Sequence, residues 1–229
     1  MNAVSEPHIV ELYLALPEPR PGDDPDDWSV RMRSAFRSFR DKLLETYTEG
    51  TLQRLLTHPD VFARRAASLS LGLVGTMASN HVLAAQLHDE DALVRDLAAD
   101  SLWEVWFRGG TTEQNQQLQG ILRLRDVDHM MAALNALVRS APEFAEAVNQ
   151  RAILHFRRGD FQRSIADCRR VMELNPHHYG AQAGMGQSYL QLRNRRAALE
   201  AFQQALRIHP SLDDIQATIE VIRASLNDE

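Results

Sequence analysis

The sequence has little cysteine and no long apolar run, and each absence narrows the class of protein. Cys168 is the only cysteine in 229 residues, so no disulfide can form within the chain, as is typical of the reducing cytoplasm. No apolar run approaches the roughly 20 residues of a membrane helix. The first residues also lack the basic start of a secretory signal. We therefore expect a cytoplasmic protein without a membrane partner.

A surplus of basic side chains is also absent. Residues 1–110 carry 11 basic and 17 acidic side chains, and residues 111–229 carry 14 of each. Binding to nucleic acid generally requires a local excess of Lys or Arg to neutralise phosphates, so nucleic acid is not an expected partner. Lys42 is the only lysine among the 25 basic residues, which we interpret as the codon usage of a GC-rich bacterial genome.

What the second half does contain is a period of 34 residues, which separates Pro142, Pro176 and Pro210. Each interval has the apolar spacing of two helices joined by a short polar turn. Residues 179–212 are the best copy, with Gly186, Tyr189, Ala198, Phe202, Ala205 and Pro210 in sequence order. This unit resembles a tetratricopeptide repeat, whose usual signature has these residue types at these offsets.

Neighbouring segments fit the same period less completely. Residues 145–178 match at Ala152, Gly159, Asp160, Phe161, Ile165 and Pro176, but Ser164 and Cys168 depart from the pattern. Residues 111–144 match only at Met130, Leu134, Leu137 and Pro142, so we interpret them as a degenerate repeat. Residues 213–227 have an apolar side formed by Ile215, Ile219 and Ile222, which predicts a capping helix.

The first half has a different period, of 31 residues. Seven positions recur at this spacing: Leu52, Leu56, Asp60, Arg64, Ala67, Leu71 and Val74, and then Leu83, Leu87, Asp91, Arg95, Ala98, Leu102 and Val105. We expect Asp60 and Asp91 to cap the second helix of their units and to face the Arg four residues later. These units resemble the short HEAT-type repeats of bacterial phycobilin-lyase-like proteins.

Together the two periods predict an all-α protein, an α-solenoid of helix-turn-helix repeats. HEAT-like repeats in residues 28–110 would be followed by tetratricopeptide-like repeats in 111–229, including the capping helix at 213–227. Residues 1–27 would form an N-terminal segment that ends in a Pro- and Asp-rich linker.

The tetratricopeptide resemblance implies a function. In that family the first helices of successive repeats line a concave groove that binds peptides. The corresponding positions here are Asn115, Gln119, Arg123, Asn149, Ile153, Phe156, Arg157, Gln187, Leu190 and Gln191. We therefore predict a module for protein–protein interaction: an adaptor, scaffold or assembly factor with a protein or peptide partner. The alternative is an enzyme-associated module that holds a substrate protein, as lyase-type HEAT subunits do.

No motif predicts catalysis. The sequence has no arrangement of nucleophile, base and oxyanion donors, so we expect no enzyme activity. The nine histidines lack ligand spacing on a predicted helix, and we expect neither a metal site nor a cofactor. Cys168 falls at a core position of its repeat, which favours a buried small apolar residue over a nucleophile.

Overall fold

The computed structural model describes residues 7–19 and 21–227. Residues 1–6 and Arg20, which belong to the predicted N-terminal segment and linker, lie outside the described residues, as do residues 228 and 229. The described residues form thirteen α-helices and a short 3-10 turn at Met77–Ser79, with no strand, and this confirms the all-α prediction. The helices are α1 His8–Leu14, α2 Pro25–Thr46, α3 Glu49–Leu55, α4 Val61–Val74, α5 Asn80–Gln86, α6 Ala92–Phe107, α7 Thr112–Leu122, α8 Val127–Ser140, α9 Ala145–Arg157, α10 Phe161–Leu174, α11 Tyr179–Gln191, α12 Arg195–Ile208 and α13 Asp213–Asn227.

The chain divides into two compact units, Met1–Val105 and Trp106–Glu229. We call them unit 1 and unit 2 and describe each by itself. Across the part of the chain that the structure describes, no helix combines the length and apolar character needed to cross a bilayer.

In unit 1 the 31-residue period is visible in the hydrogen bonds of two arginines. The Nη1 atom of Arg64 donates to the backbone carbonyls of His58 and Pro59, and that of Arg95 donates to those of Asp89 and Glu90. Each arginine thus bonds the loop that precedes its own helix, five and six residues back. The guanidinium group thereby fixes the chain as it enters α4 and α6.

The aspartates of this period act as helix caps, but the expected pairing of Asp60 with Arg64 is corrected by the structure. Asp60 accepts a hydrogen bond from the backbone N–H of Phe62 at 2.9 Å, which stabilises the start of α4. Arg64 does not pair with Asp60. Its guanidinium group instead reaches the next copy of the period, where it bonds Asp89 at 2.8 Å and 3.0 Å and Glu90 at 3.1 Å. The pairing thus joins successive copies.

In unit 2 the 34-residue period fixes where helices begin and turn. The second helices α8, α10 and α12 begin at Val127, Phe161 and Arg195, each 34 residues after the last. The turns before α10 and α12 both contain a residue in the left-handed region, Gly159 with φ 78° and Arg193 with φ 59°. A left-handed residue after a helix satisfies its last carbonyl groups. Two successive repeats therefore share one turn geometry, although only the first has the favoured glycine.

The two helices of each repeat approach closely through small residues, and the last two repeats do so with different pairs of residues. In the last repeat, a Cβ atom added to Gly186 of α11 would lie 2.6 Å from the Phe202 ring of α12, so only glycine fits. The equivalent positions in the preceding repeat hold Ala152 and Cys168, which are both buried. A smaller partner on the second helix therefore leaves room for a larger residue on the first.

The last helix covers the end of this packing. Ile219 and Ile222 of α13 are buried and belong to one apolar cluster with Ala198 and Phe202 of α12. Val221, on the other side of α13, is 70% exposed. This amphipathic arrangement is that of a capping helix.

Candidate protein-binding groove

The groove positions recur along the first helices α7, α9 and α11. Within one copy most of them are three or four residues apart and so share a face, and the adjacent pairs Phe156/Arg157 and Leu190/Gln191 widen it. The most accessible are Gln119 and Arg123 of the first copy, Arg157 of the second and Gln191 of the third, all of them exposed. Arg123, Arg157 and Gln191 occupy the same position of successive copies, 34 residues apart.

The two arginines of this row carry charge that the protein does not neutralise. Within the described residues, neither Arg123 nor Arg157 hydrogen-bonds or forms an ion pair with a carboxylate. The next residue, Arg158, differs because its Nη1 atom lies 2.6 Å from Asp128. Among the described residues, the guanidinium donors of Arg123 and Arg157 are therefore unused.

Apolar groove positions lie partly inside the protein. Ile153, Phe156 and Leu190 are half-buried, as is Gln187. The Phe156 ring packs edge-on against Phe161 with 5.5 Å between ring centroids, which holds its orientation. Leu190 packs against the cluster around Phe202. These side chains can supply apolar contacts at little further cost in entropy, because packing already restricts them.

Two of the expected amide contacts are corrected by the structure. Asn149 is 2% exposed, and its Nδ2 atom donates to both carboxylate oxygens of Glu146 at 3.2 Å and 3.3 Å. Asn115 is half-buried, and its amide bonds the N–H and C=O groups of Gly110 at 2.9 Å and 3.1 Å. Both amides are used inside the protein, so they are not available to bond a partner backbone.

Beneath the groove lies a buried polar cluster that the sequence did not predict. The side chains of Glu146 and His178 are both 0% exposed, and His178 Nε2 lies 3.0 Å from the Glu146 carboxylate. His178 also caps α11, because its Nδ1 atom accepts a hydrogen bond from the backbone N–H of Ala181. An accepting Nδ1 carries no proton, so the ring proton is on Nε2 and is donated to Glu146.

Further contacts stabilise this buried carboxylate and its histidine. Gln150 donates to Glu146 at 2.6 Å, in addition to the bonds from Asn149. The His178 ring stacks on Trp106 with 4.1 Å between centroids. A buried charge is tolerated when several donors surround it. The cluster therefore joins the start of α9 to the start of α11.

A second unpredicted network lies between α8, α9 and α10. Arg151 forms a two-pronged ion pair with Asp167 at 2.8 Å and 2.7 Å, and it also bonds the Asn135 side chain. His155 lies beside them, 3.9 Å from Asp167. Burial lowers the pKa of His155 despite the nearby carboxylates, which favours the neutral ring.

Cys168, the one cysteine of the sequence, is not placed as a reactive side chain. Cys168 is buried, and desolvation raises the pKa of its thiol to about 12, so the nucleophilic thiolate is scarce at neutral pH. No group of three or more His, Cys, Asp or Glu side chains is placed to hold a metal ion in residues 7–19 and 21–227.

With this geometry known, comparison with other proteins identifies the repeats of unit 2. Two family models, both described as "Tetratricopeptide repeat", match residues 131–178 and 155–219. Residues 131–219 are tetratricopeptide repeats. Repeats of this family generally mediate protein–protein interaction and are typically non-catalytic. The matches begin within α8, so the predicted degenerate copy at 111–144 is covered only in its second helix, and the HEAT-like resemblance of unit 1 stays a prediction.

A curated relative has the same repeat type. The "TPR repeat-containing protein" of the bacterium Rhizobium etli is 27% identical over 124 residues, which cover 53% of this chain and 61% of that protein. The chain thus matches about three-fifths of the relative's length. A bacterial relative fits the bacterial origin inferred from the scarcity of lysine.

Proposed function

We propose that the tetratricopeptide repeats bind a segment of a partner protein along the face formed by α7, α9 and α11, without catalysing a reaction. The protein would act as an adaptor, scaffold or assembly factor. Asn115 and Asn149 support this face from within, and the other eight groove positions contact the partner.

The observation that carries the proposal is the repeated, unneutralised arginine. Arg123 and Arg157 occupy equivalent positions in successive copies, are exposed and have no carboxylate partner in the described part of the chain. Paired surface arginines such as Arg158 occur next to them, so the difference is local. Two guanidinium groups on one face favour a partner segment that presents carboxylates to both.

Apolar contacts at the same face would supply much of the affinity. Phe156 and Leu190 are each held by packing on one side and open on the other. Aromatic and aliphatic side chains of this kind often dominate binding energy when the partner completes their burial. Gln119, Gln187 and Gln191 can bond a peptide backbone whatever its side chains.

The experiment has two stages. Affinity purification from the native organism with mass spectrometry names partners, and calorimetric titration then compares the wild type with the variant Arg123→Glu/Arg157→Glu. A hydrogen bond to a charged group contributes roughly 1.5–3 kcal/mol, so affinity should fall by at least about tenfold. The matched control is Arg139→Glu/Arg223→Glu, which reverses two exposed arginines on α8 and α13. Equal loss in both variants, or no loss in either, would contradict the proposal.

The alternative, a lyase-type substrate-holding module, is not favoured, because the family models match the tetratricopeptide part and not the HEAT-like part. A cytoplasmic location and the absence of a nucleic-acid partner belong to the same proposal. They are supported by the lone buried Cys168 and by the balanced charge of residues 111–229. Cell fractionation and a titration with duplex DNA and single-stranded RNA test these two points.

A further inference from the structure

Unit 2 contains two surface hollows at equivalent places in successive repeats. The first, of about 480 Å³, lies between α10, α11 and α12, and we call it the apolar hollow. The second, of about 320 Å³, lies between α8, α9 and α10, and we call it the charged hollow. Their linings correspond at a spacing of 34 residues: Met185 of the apolar hollow corresponds to Arg151, and Ala201 to Asp167.

The polar side chains that line the charged hollow already bond one another. Arg151 and Asp167 form the two-pronged ion pair across it, and the side chains are only 20% and 11% exposed. The remaining Nη1 atom of Arg151 donates to Asn135 at 3.2 Å. Each of these groups already has its partner within the protein, so this hollow offers little to another molecule.

The apolar hollow lacks any equivalent of this pair. Met185 and Ala201 take the places of the arginine and the aspartate, and Met172 and Ile208 add further apolar surface. At the mouth, Ala197 stands where the other hollow has Arg163. Sites for small apolar groups typically measure roughly 300–1,000 Å³ and combine such a lining with a few polar groups. The space therefore suits a large apolar side chain.

Two charged side chains line the hollow, Arg169 and Glu200, and Arg169 is held in place at the rim without an ion pair among the described residues. Arg169 donates from Nη2 to the hydroxyl of Tyr189 at 2.6 Å. It bonds no carboxylate among residues 7–19 and 21–227, whereas the adjacent Arg170 bonds Glu143 and Glu173. Arg169 keeps its remaining donors at the edge of the hollow, where they are complementary to a carboxylate that enters with an apolar group.

The apolar hollow is separate from the proposed groove. An α-helix advances about 100° per residue. On α11, Met185 therefore lies about 160°, 140° and 120° around the helix from Gln187, Leu190 and Gln191, the groove positions of the same helix. A partner segment at the groove would leave the hollow open.

We infer that the apolar hollow is a second docking site, which takes a partner segment with a Leu, Met or Phe side chain next to an Asp or Glu. The apolar side chain enters between α10 and α12, and the carboxylate bonds Arg169. The preceding repeat lacks this capacity because its ion pair already occupies the equivalent place. This site does not depend on the groove proposed above.

The test selects binders from a displayed library of random 16-residue peptides against the full chain. Counter-selection uses the variant Met185→Arg/Ala201→Asp, which copies the ion pair of the charged hollow. The inference expects enriched peptides with a large apolar residue beside Asp or Glu. In protein with ¹³C-labelled methionine methyl groups, these peptides should shift the signals of Met172 and Met185 but not those of Met130 and Met131.

Two surface variants keep the test decisive if the buried double variant does not fold. Ala197→Arg copies Arg163 over the mouth, and Arg169→Glu reverses the rim charge. Each variant should lower the affinity for the selected peptides by about tenfold or more. This is the usual consequence of losing a charge-assisted hydrogen bond or a buried apolar contact. Arg223→Glu on α13 is the matched charge control and should have no effect.

The outcomes separate this site from the groove. Selected peptides that bind wild type and Ala197→Arg equally well, or that leave the Met172 and Met185 signals unmoved, overturn the inference. Peptides that depend on the hollow but tolerate Arg169→Glu overturn the acidic part of the stated chemistry. Peptides weakened by Arg123→Glu/Arg157→Glu and not by Ala197→Arg would support the groove alone and overturn the second site.

Discussion

The contact between Gly186 and Phe202 allows a stability prediction with an internal control in the same helix. A Cβ atom at position 186 would lie 2.6 Å from the ring of Phe202, well inside van der Waals contact. A Cβ atom at Gly184, two residues earlier in α11, would lie an ordinary 3.7 Å from the sulfur of Cys168. Replacement by alanine thus changes the backbone entropy similarly at both positions but creates a clash at only one.

The magnitudes follow from these two effects. Gly→Ala in a helix interior stabilises by roughly 0.5–1 kcal/mol, which is the whole effect expected of Gly184→Ala. Overpacking of a core costs roughly 1–3 kcal/mol, which Gly186→Ala incurs in addition. The free energy of unfolding of Gly186→Ala should therefore be lower than that of Gly184→Ala by about 1–3 kcal/mol.

Urea unfolding followed by circular dichroism measures this difference, and hydrogen exchange of the α11 and α12 amides assigns it to those helices. Combining Gly186→Ala with Phe202→Leu should remove most of the alanine penalty, because the ring that causes it is gone. Equal unfolding free energies for the two alanine variants would refute the reasoning.

Three further outcomes follow from the structure. The hydrogen bond from Arg65 lowers the pKa of Asp91 to about 2. The stabilisation of unit 1 by Asp91 should therefore persist above about pH 4 and disappear as the pH falls towards 2. Arg65→Gln should flatten this part of an acid-unfolding curve. Because burial raises the pKa of Cys168 to about 12, a disulfide reagent at pH 8 should label it slowly until urea is added, and fast native labelling would contradict this. Glu146→Ala should lower the free energy of unfolding by at least about 2 kcal/mol, because the buried donors around Glu146 lose their acceptor. Glu143→Ala, at an exposed glutamate, should cost less than about 1 kcal/mol. Thermal unfolding measures both, and equal effects would argue against the buried cluster.

Much of the architecture follows from local sequence patterns. The spacing of Pro142, Pro176 and Pro210 predicts helix pairs, since it combines apolar periodicity with turn residues over short stretches of chain. Gly186 is one of the residues that match the repeat signature, and in the structure it lies where α11 approaches Phe202 closely. Such features depend on residues near each other in sequence or at one fixed interval.

What the sequence could not predict depends on tertiary contact. His178 and Glu146 belong to no motif and are 32 residues apart, and their bond is buried by tertiary packing that includes the stacking of Trp106 on His178. Tertiary packing also buries Asn149, whose amide bonds Glu146. Arg64 was expected to face Asp60 by helical spacing, but a long side chain can reach a neighbouring copy instead. Long-range partners of this kind leave no periodic signal in one sequence.

The buried bond between His178 and Glu146 also has a mechanical consequence. Each repeat of a solenoid contacts only its neighbours, so a solenoid can bend where one repeat slides over the next. At this joint the bond lies at 0% exposure and also fixes the cap of α11, so sliding would break two interactions in a place that water does not reach. We therefore expect the joint between α9 and α11 to resist such sliding. A partner segment bound there, as proposed above, would meet a surface whose shape is set before binding.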